Sequence, residues 1–315
     1  LGVVTRDGDF HGGERGRLVF VASPDGGESW SHATVISGEG SDNRNPAFGV
    51  AADGTLIASF IKQVNYIDGN YDFDMKTSPH AQPTPLYVSR SEDNGANWST
   101  SLAVVDGQES WPVSSPFGKI VTLPDGTNLM CYYHPSTSGV ATSFLIRSHD
   151  GGRTWGDCVT MAEGYGEQAI CHLGGDRFLA MLRGTTDFTG LAQIDSNDGG
   201  YTWTEPRRIT ANMEHPGDVI RLLDGRLLLT YGRRVTPWGI QGMISTDDGK
   251  TWDGDNRILL TADSGIDQGY PSTIQRGDGT IVTVYYSSEL HISRRPRPEI
   301  LGIHGAAVIY RPEDL

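Results

Sequence analysis

At 315 residues with a net charge of −14, the chain is long enough for a sizeable core, and its acidity argues against nucleic acid or an anionic membrane surface as a partner. Its 41 glycines and 16 prolines punctuate short strands, and 37% hydrophobic residues suffice to fill an all-β interior. No apolar run is long enough to span a membrane as a helix, and no low-complexity or Pro/Ser-rich tract marks a linker, so a single domain over 1–315 is expected.

Taken in chain order, the elements are organised by one eight-residue pattern, Ser-x-Asp-x-Gly-x-x-Trp. It occurs five times, as Ser23-Asp25-Gly27-Trp30, Ser91-Asp93-Gly95-Trp98, Ser148-Asp150-Gly152-Trp155, Ser196-Asp198-Gly200-Trp203 and Ser245-Asp247-Gly249-Trp252. Self-similarity at such spacing means stacked supersecondary units. Ser and Asp oxygens close a tight turn on backbone amides, Gly takes positive φ, and Trp folds back as an apolar anchor. These residues hold the fold; five separate catalytic aspartates would be a poor reading.

Between these turns runs a second repeat, an apolar strand followed by an Asp-Gly or equivalent turn, at Asp53-Gly54, Asp125-Gly126, Gly174-Gly175, Asp224-Gly225 and Asp278-Gly279. Asp-Gly between alternating strands is a hairpin signal. Each unit then has an inner hairpin, a third strand, the Trp-anchored turn and an outer strand. Radial repetition of such four-stranded units makes a propeller. Counting gives blade 1 around the first turn, then blades near 45–98, 113–155, 167–203, 215–252 and 269–310. The expectation is therefore an all-β, six-bladed β-propeller of four-stranded antiparallel blades. Blade 1 is expected to be incomplete at the N-terminus, because no apolar strand with its own Asp-Gly turn precedes Val3. Residues upstream of Leu1 in the natural protein would supply the missing strand.

Alignment of the blades on the inner turn brings Asn45, Phe117, Glu167, Pro216 and Tyr270 to one level, eight positions before the turn. Inner strands of a propeller line its central channel, so Glu167 and Tyr270 are expected to converge at its mouth. His134, His215 and Asp218 fall near strand ends, and a packing role suits them as well as a chemical one. Cys131, Cys158 and Cys171 are odd in number and lack metal-ligand spacing, which reads as buried thiols. No metal motif or phosphate-binding glycine loop is present, and neither metal nor cofactor is expected.

The five turns are similar to the Asp-boxes, or BNR repeats, of the sialidase superfamily, and the chain resembles sialidase-like propellers over essentially its whole length. The resemblance implies a retaining exo-glycosidase that removes a terminal sialic acid, or a similar anionic sugar, from a glycan, in a secreted or periplasmic setting. Gly269-Tyr270-Pro271-Ser272 resembles the family's nucleophile segment, and Glu167 followed by Arg183 resembles its Glu-to-Arg strand pair. By that likeness Tyr270 is the nucleophile and Glu167 its base. The chemistry is consistent: a phenol is neutral until it attacks, whereas Asp or Glu would be repelled by the carboxylate on the anomeric carbon.

The resemblance also implies three arginines on that carboxylate, a role suited to a planar guanidinium fork. Arg183 matches the second; Arg233 or Arg234 falls near the third, Arg234 sharing Arg183's strand parity. The first belongs on the missing inner strand of blade 1. Arg44 in Arg44-Asn45-Pro46 matches its local pattern one blade late, and Asn45 stands where an Asp touching the substrate is expected. For the general acid, the loop before the first Asp-box offers Asp9, with His11 second. A rival is the insertion Tyr66 to Pro85, with Asp68, Asp72 and Asp74. Two other readings stay open: a propeller glycosidase for a uronic acid or furanoside, which the missing first arginine favours, and a non-catalytic glycan-binding propeller.

Overall fold

A computed structural model describes the chain apart from residues 9–14, 39, 64–65, 68–69, 72–84, 104–114, 136–139, 263–266 and 292–298. The described residues form strands, turns and one 3-10 turn at Pro312–Asp314, and none of them lies in an α-helix. They divide into two compact units, Leu1–Glu167 and Gln168–Leu315.

The first unit opens with a three-stranded antiparallel sheet of β1 (Gly2–Asp7), β2 (Arg17–Ala22) and β3 (Thr34–Ser37). Next come β4 (Asp42–Val50), β5 (Leu56–Gln63), a small hairpin of β6 (Tyr66–Ile67) and β7 (Asn70–Tyr71), β8 (Leu86–Ser91) and β9 (Ser99–Leu102). The third array is β10 (Ser115–Thr122), β11 (Asn128–Pro135), β12 (Ala141–Ser148) and β13 (Gly156–Glu163). The innermost strands β4 and β10 meet in parallel at Ala47–Gly118 and Phe48–Lys119, joining two four-stranded arrays into one eight-stranded sheet. Gly49 permits that approach, since a Cβ there would stand 2.1 Å from the Ile120 carbonyl oxygen.

The second unit holds a four-stranded sheet of β14 (Tyr165–Gly174, beginning in the first unit), β15 (Arg177–Gly184), β16 (Leu191–Ser196) and β17 (Arg207–Arg208). It is followed by β18 (Glu214–Arg221), β19 (Leu227–Arg233), β20 (Gly239–Ser245) and β21 (Ile258–Leu259). The last sheet has three strands, β22 (Gly269–Gln275), β23 (Ile281–His291) and β24 (Glu299–Tyr310). In every four-stranded array the Trp-anchored turn joins the third strand to the fourth. In the first sheet it joins β2 to β3, so β1, β2 and β3 correspond to the second, third and fourth strands of the other arrays.

All five turns share one hydrogen-bond pattern. Each Ser hydroxyl donates to its Asp at 2.8 Å and accepts the Gly amide at 2.7–2.9 Å. The carboxylate also accepts the amide four residues on, at 2.8–2.9 Å. The side chain four residues on, followed by its amide and the Ser hydroxyl, favours the ionised acid at Asp198, Asp25 and Asp93, and the amide leads at Asp247: Asp150, Asp198 and Asp247 are drawn down to about 2, and Asp25 and Asp93 are lowered too. At Asp150 partial burial opposes the donors and is outweighed by them.

Three of the turns also bind their array to the one before it. A Cβ on Gly95 would meet the Phe20 ring at 2.3 Å, one on Gly152 would meet Ile57 at 2.7 Å, and one on Gly249 would meet Leu179 at 2.3 Å. Trp98 packs on Phe20 with ring centroids 5.7 Å apart, Trp155 is buried in the core between the second and third arrays, and the Trp252 indole donates to Gln193 Oε1 at 2.8 Å. Arg90 and Arg207 add bonds to the carbonyls of Gly151 and Gly249 in the next turn. The hydrophobic clusters follow the same plan and lie between successive sheets. Cys131 and Cys171 are buried thiols as expected, whereas Cys158 is half-buried, its sulfur 3.3 Å from the Tyr132 hydroxyl.

Candidate active site

Inner strands of this chain carry a recurring irregularity at one level. Asn45 on β4, Glu167 on β14 and Tyr270 on β22 have φ of 51°, 45° and 54°, left-handed values that few residues other than glycine adopt. The ladders shift register there, between Arg44 and Ala47 in β4 and between Gly269 and Ser272 in β22. A bulge of this kind re-aims one side chain out of the pleat. Holding a Glu or Tyr so costs about 1–3 kcal/mol each, and such strain gathers at functional sites. On β10 the left-handed residue is Gly118, one place after the expected Phe117, whose ring is buried. On β18 the shift lies between Glu214 and Gly217, spanning Pro216.

In the second unit, Tyr270 has defined neighbours. Arg234 follows β19 directly, and its amide is fixed on the Met213 carbonyl at 2.8 Å. Its guanidinium carbon lies 5.6 Å from the centroid of the Tyr270 ring, within cation–π range. Arg234 Nε donates to the Gln268 carbonyl at 3.1 Å and Nη2 to the Tyr286 hydroxyl at 3.3 Å. Tyr286 donates in turn to Asp267 Oδ1 at 2.5 Å, and its ring is tilted by 40° against Tyr270 at 5.5 Å. Beneath them β19 and β22 nearly touch: a Cβ on Gly232 would stand 3.0 Å from both the Gly269 Cα and the His215 carbonyl oxygen.

Arg233, one residue earlier, faces the other way, as strand alternation requires. It reaches the Val235 and Thr236 carbonyls and lies 3.6 Å from the buried Glu214 carboxylate. Glu214 is also bound by Arg257 at 2.6 Å and by the Ala211 amide at 3.0 Å. Of the two adjacent arginines, Arg234 is the one beside Tyr270. Arg183 lies near the end of β15, half-buried, opposite Leu191. Asp218 is buried and accepts the Thr273 amide at 2.6 Å; Thr273 continues through Thr230, Thr283 and Tyr310 in a chain of hydroxyl bonds tying β18 to the last sheet. Burial pushes the Tyr310 phenol up to about 12. Asp218 thus serves the framework, and His215 is buried as well.

In the first unit, the buried Asp42 gathers two arginines from different strands, Arg6 Nε at 2.6 Å and Arg44 Nε at 3.4 Å. A buried carboxylate needs such partners. Gly16 makes room for the pair, because a Cβ there would lie 2.1 Å from Asp42 Oδ1. Asn43 ties the same corner, donating to the carbonyls of Gly16 and Gly38. The Asn45 amide spends both hydrogens, on Ser115 Oγ at 2.7 Å and the Tyr133 hydroxyl at 3.2 Å. Glu167 closes this unit, 6% exposed. His134 is half-buried on β11 opposite Thr142.

Asp9 and His11 lie outside the described residues, as do Asp68, Asp72 and Asp74. Among the described residues no three His, Cys, Asp or Glu side chains are placed to hold a metal ion, and no helix is long and apolar enough to cross a membrane. Sequence reasoning missed Arg6, Asp42, Tyr133, Asp267 and Tyr286. Arg6 adjoins the Asp7-Gly8-Asp9 run and Asp267 lies three residues before Tyr270, but their partners are far away in the chain and leave no local signal.

Residues 18–283 match the BNR repeat-like domain family. The chain is 24% identical over 223 residues to a sialidase of Bacteroides fragilis (strain YCH46), a match covering 66% of this chain and only 40% of that relative. Among solved structures, a protein of unknown function from Dyadobacter fermentans DSM 18053 superposes with a TM-score of 0.74 at 22% identity, over 97% of this chain and 86% of that one. The intramolecular trans-sialidase of Ruminococcus gnavus, solved with oseltamivir carboxylate, superposes with a TM-score of 0.73 at 15% identity, over 100% of this chain and 92% of that one. At these identities the structural likeness carries the fold, an all-β propeller.

Proposed function

The chain belongs to the BNR repeat-like family of the sialidase superfamily, and on that premise we propose that it is a retaining exo-glycosidase releasing a terminal sialic acid, or a closely similar anionic sugar, from a glycan. The observation that carries this reading is the Arg234 guanidinium beside the Tyr270 ring on a left-handed inner-strand residue. A fixed cation there suits both a substrate carboxylate and a nucleophile that becomes anionic as it reacts.

Glu167 takes the proton of Tyr270, whose unperturbed pKa of about 10 leaves it too weak a nucleophile at neutral pH without a base. The phenolate oxygen attacks the anomeric carbon as the glycosidic bond breaks, and the leaving oxygen receives a proton from Asp9. Water, deprotonated by the same Asp9, then displaces Tyr270, and two inversions give net retention. Arg183 and Arg234 hold the substrate carboxylate, with Arg44 and Asn45 lining the sugar. The reading requires the Glu167 carboxylate within hydrogen-bond reach of the Tyr270 oxygen.

Turnover of a chromogenic α-sialoside by the wild type and by Tyr270→Phe tests this. Wild-type release lost in the variant, with the sugar first appearing as the α-anomer, is the expected result. No cleavage of any sialoside by the wild type would remove the sialidase reading, and retained binding on a glycan array would then favour a lectin-like propeller.

A further inference from the structure

We propose that Tyr286, held by Asp267, is a positioning residue of this site, fixing the Arg234 guanidinium at one distance and angle from Tyr270. The inference rests on the reading that Arg234 receives the substrate carboxylate. A guanidinium at the end of a flexible stem is a good carboxylate fork only when its plane is held, because each unfixed rotor costs affinity on binding. Here three elements hold it. The Gln268 carbonyl takes Nε at 3.1 Å, the Tyr286 hydroxyl takes Nη2 at 3.3 Å, and the Tyr270 ring lies beside the guanidinium carbon at 5.6 Å.

Tyr286 can accept from Arg234 only with its own hydrogen pointed elsewhere, and Asp267 Oδ1 takes that hydrogen at 2.5 Å. Asp267 thereby sets the direction of the hydroxyl lone pairs, and the chain Asp267–Tyr286–Arg234 runs in one sense, with a charged group at each end. The Tyr286 ring also backs the Tyr270 ring at 5.5 Å, so one side chain limits the play of both the cation and the phenol. Gln268 is anchored as well, its side-chain amide donating to the Arg233 carbonyl at 2.7 Å and the Gly239 carbonyl at 3.2 Å. The 267–268 segment is therefore a rigid bracket, with no atom required to reach the sugar.

Tyr286→Phe removes the hydroxyl and keeps the ring. Carboxylate binding by Arg234 acts in the ground state and the transition state alike, so KM for an α-sialoside should rise about tenfold with kcat within about twofold of wild type. Arg234→Ala should abolish the effect of adding Tyr286→Phe. Tyr285→Phe, which removes a hydroxyl from the opposite face of β23, should leave both constants unchanged. Unchanged KM in Tyr286→Phe, or a fall in kcat alone, would overturn the proposal. A second readout needs no substrate: NMR of the Arg234 side chain should show Nε–Cζ rotation quickened severalfold in Tyr286→Phe. If the wild type cleaves no sialoside, the sialidase reading falls, and that rotation rate decides the positioning role by itself. Equal rates in both proteins would refute it.

Discussion

The Trp-anchored turns and the left-handed inner-strand positions are both repeated features of this chain, and they repeat in opposite ways. At the turns the side chains recur: Ser, Asp, Gly and Trp return five times with hydrogen bonds matched to 0.2 Å. At the inner-strand positions the backbone recurs while the side chain changes, from Asn45 to Glu167 to Tyr270 at φ near 50°. Identical side chains in identical geometry answer a demand that recurs, namely closing one array on the next, as at Gly95, Gly152 and Gly249. Different side chains on one left-handed backbone answer no demand that the sheets share, which is what the proposed function would require of them.

The sharpest way to break this contrast is Tyr270→Phe. It should lower kcat on a sialoside by at least about 10³-fold, about 4 kcal/mol in the barrier, while moving the denaturation midpoint little. Trp155→Ala should do the reverse. Emptying a buried indole site costs about 3–5 kcal/mol of stability by chemical denaturation, with turnover per folded molecule retained. Gly95→Ala forces a Cβ into Phe20 at a φ of 88° and should cost about 2–4 kcal/mol, again read by denaturation. Glu167→Gly should abolish activity yet cost less stability than Gly95→Ala, because glycine accepts the left-handed backbone freely. Equal stability losses at Gly95 and Glu167 would erase the distinction between turn and inner-strand position.

The smallest effect concerns acid. The turn carboxylates bind protons less readily folded than unfolded, with folded values of about 2 for Asp150, Asp198 and Asp247 against an ordinary 3.8. Between those values the unfolded state carries more protons, so the stability they lend is complete above about pH 4 and lost as pH falls toward 2. Melting temperatures across that window should drop for the wild type and drop less steeply for Asp198→Asn.

The turns were legible in the sequence because every interaction that makes them lies within eight residues. The Asp-Gly hairpins were legible for the same reason: Asp53, Asp125, Asp224 and Asp278 each accept the amide two residues on, at 2.9–3.0 Å. Register counted from those hairpins picked out Asn45, Glu167 and Tyr270 as equivalent positions, while the left-handed backbone they share had no glycine to announce it. Phe117 came out one residue early because Gly118 takes the bulge on β10. Strand parity sets Arg234 apart from Arg233 in the sequence, and only the fold shows what each meets, Tyr270 beside Arg234 and Glu214 beside Arg233. Asp42 and Tyr286 escaped notice because their partners, Arg6 and Arg234, stand 36 and 52 positions away along the chain.

Gly232 and Gly269 place bare Cα hydrogens where two strands cross beneath the phenol. A methyl group at either position would work as a wedge, levering the strand that carries Tyr270 sideways without touching its ring. The placement of the Tyr270 ring thus depends on two residues contributing no functional group. Alanine at either one should spoil alignment while every polar side chain of the site stays in place.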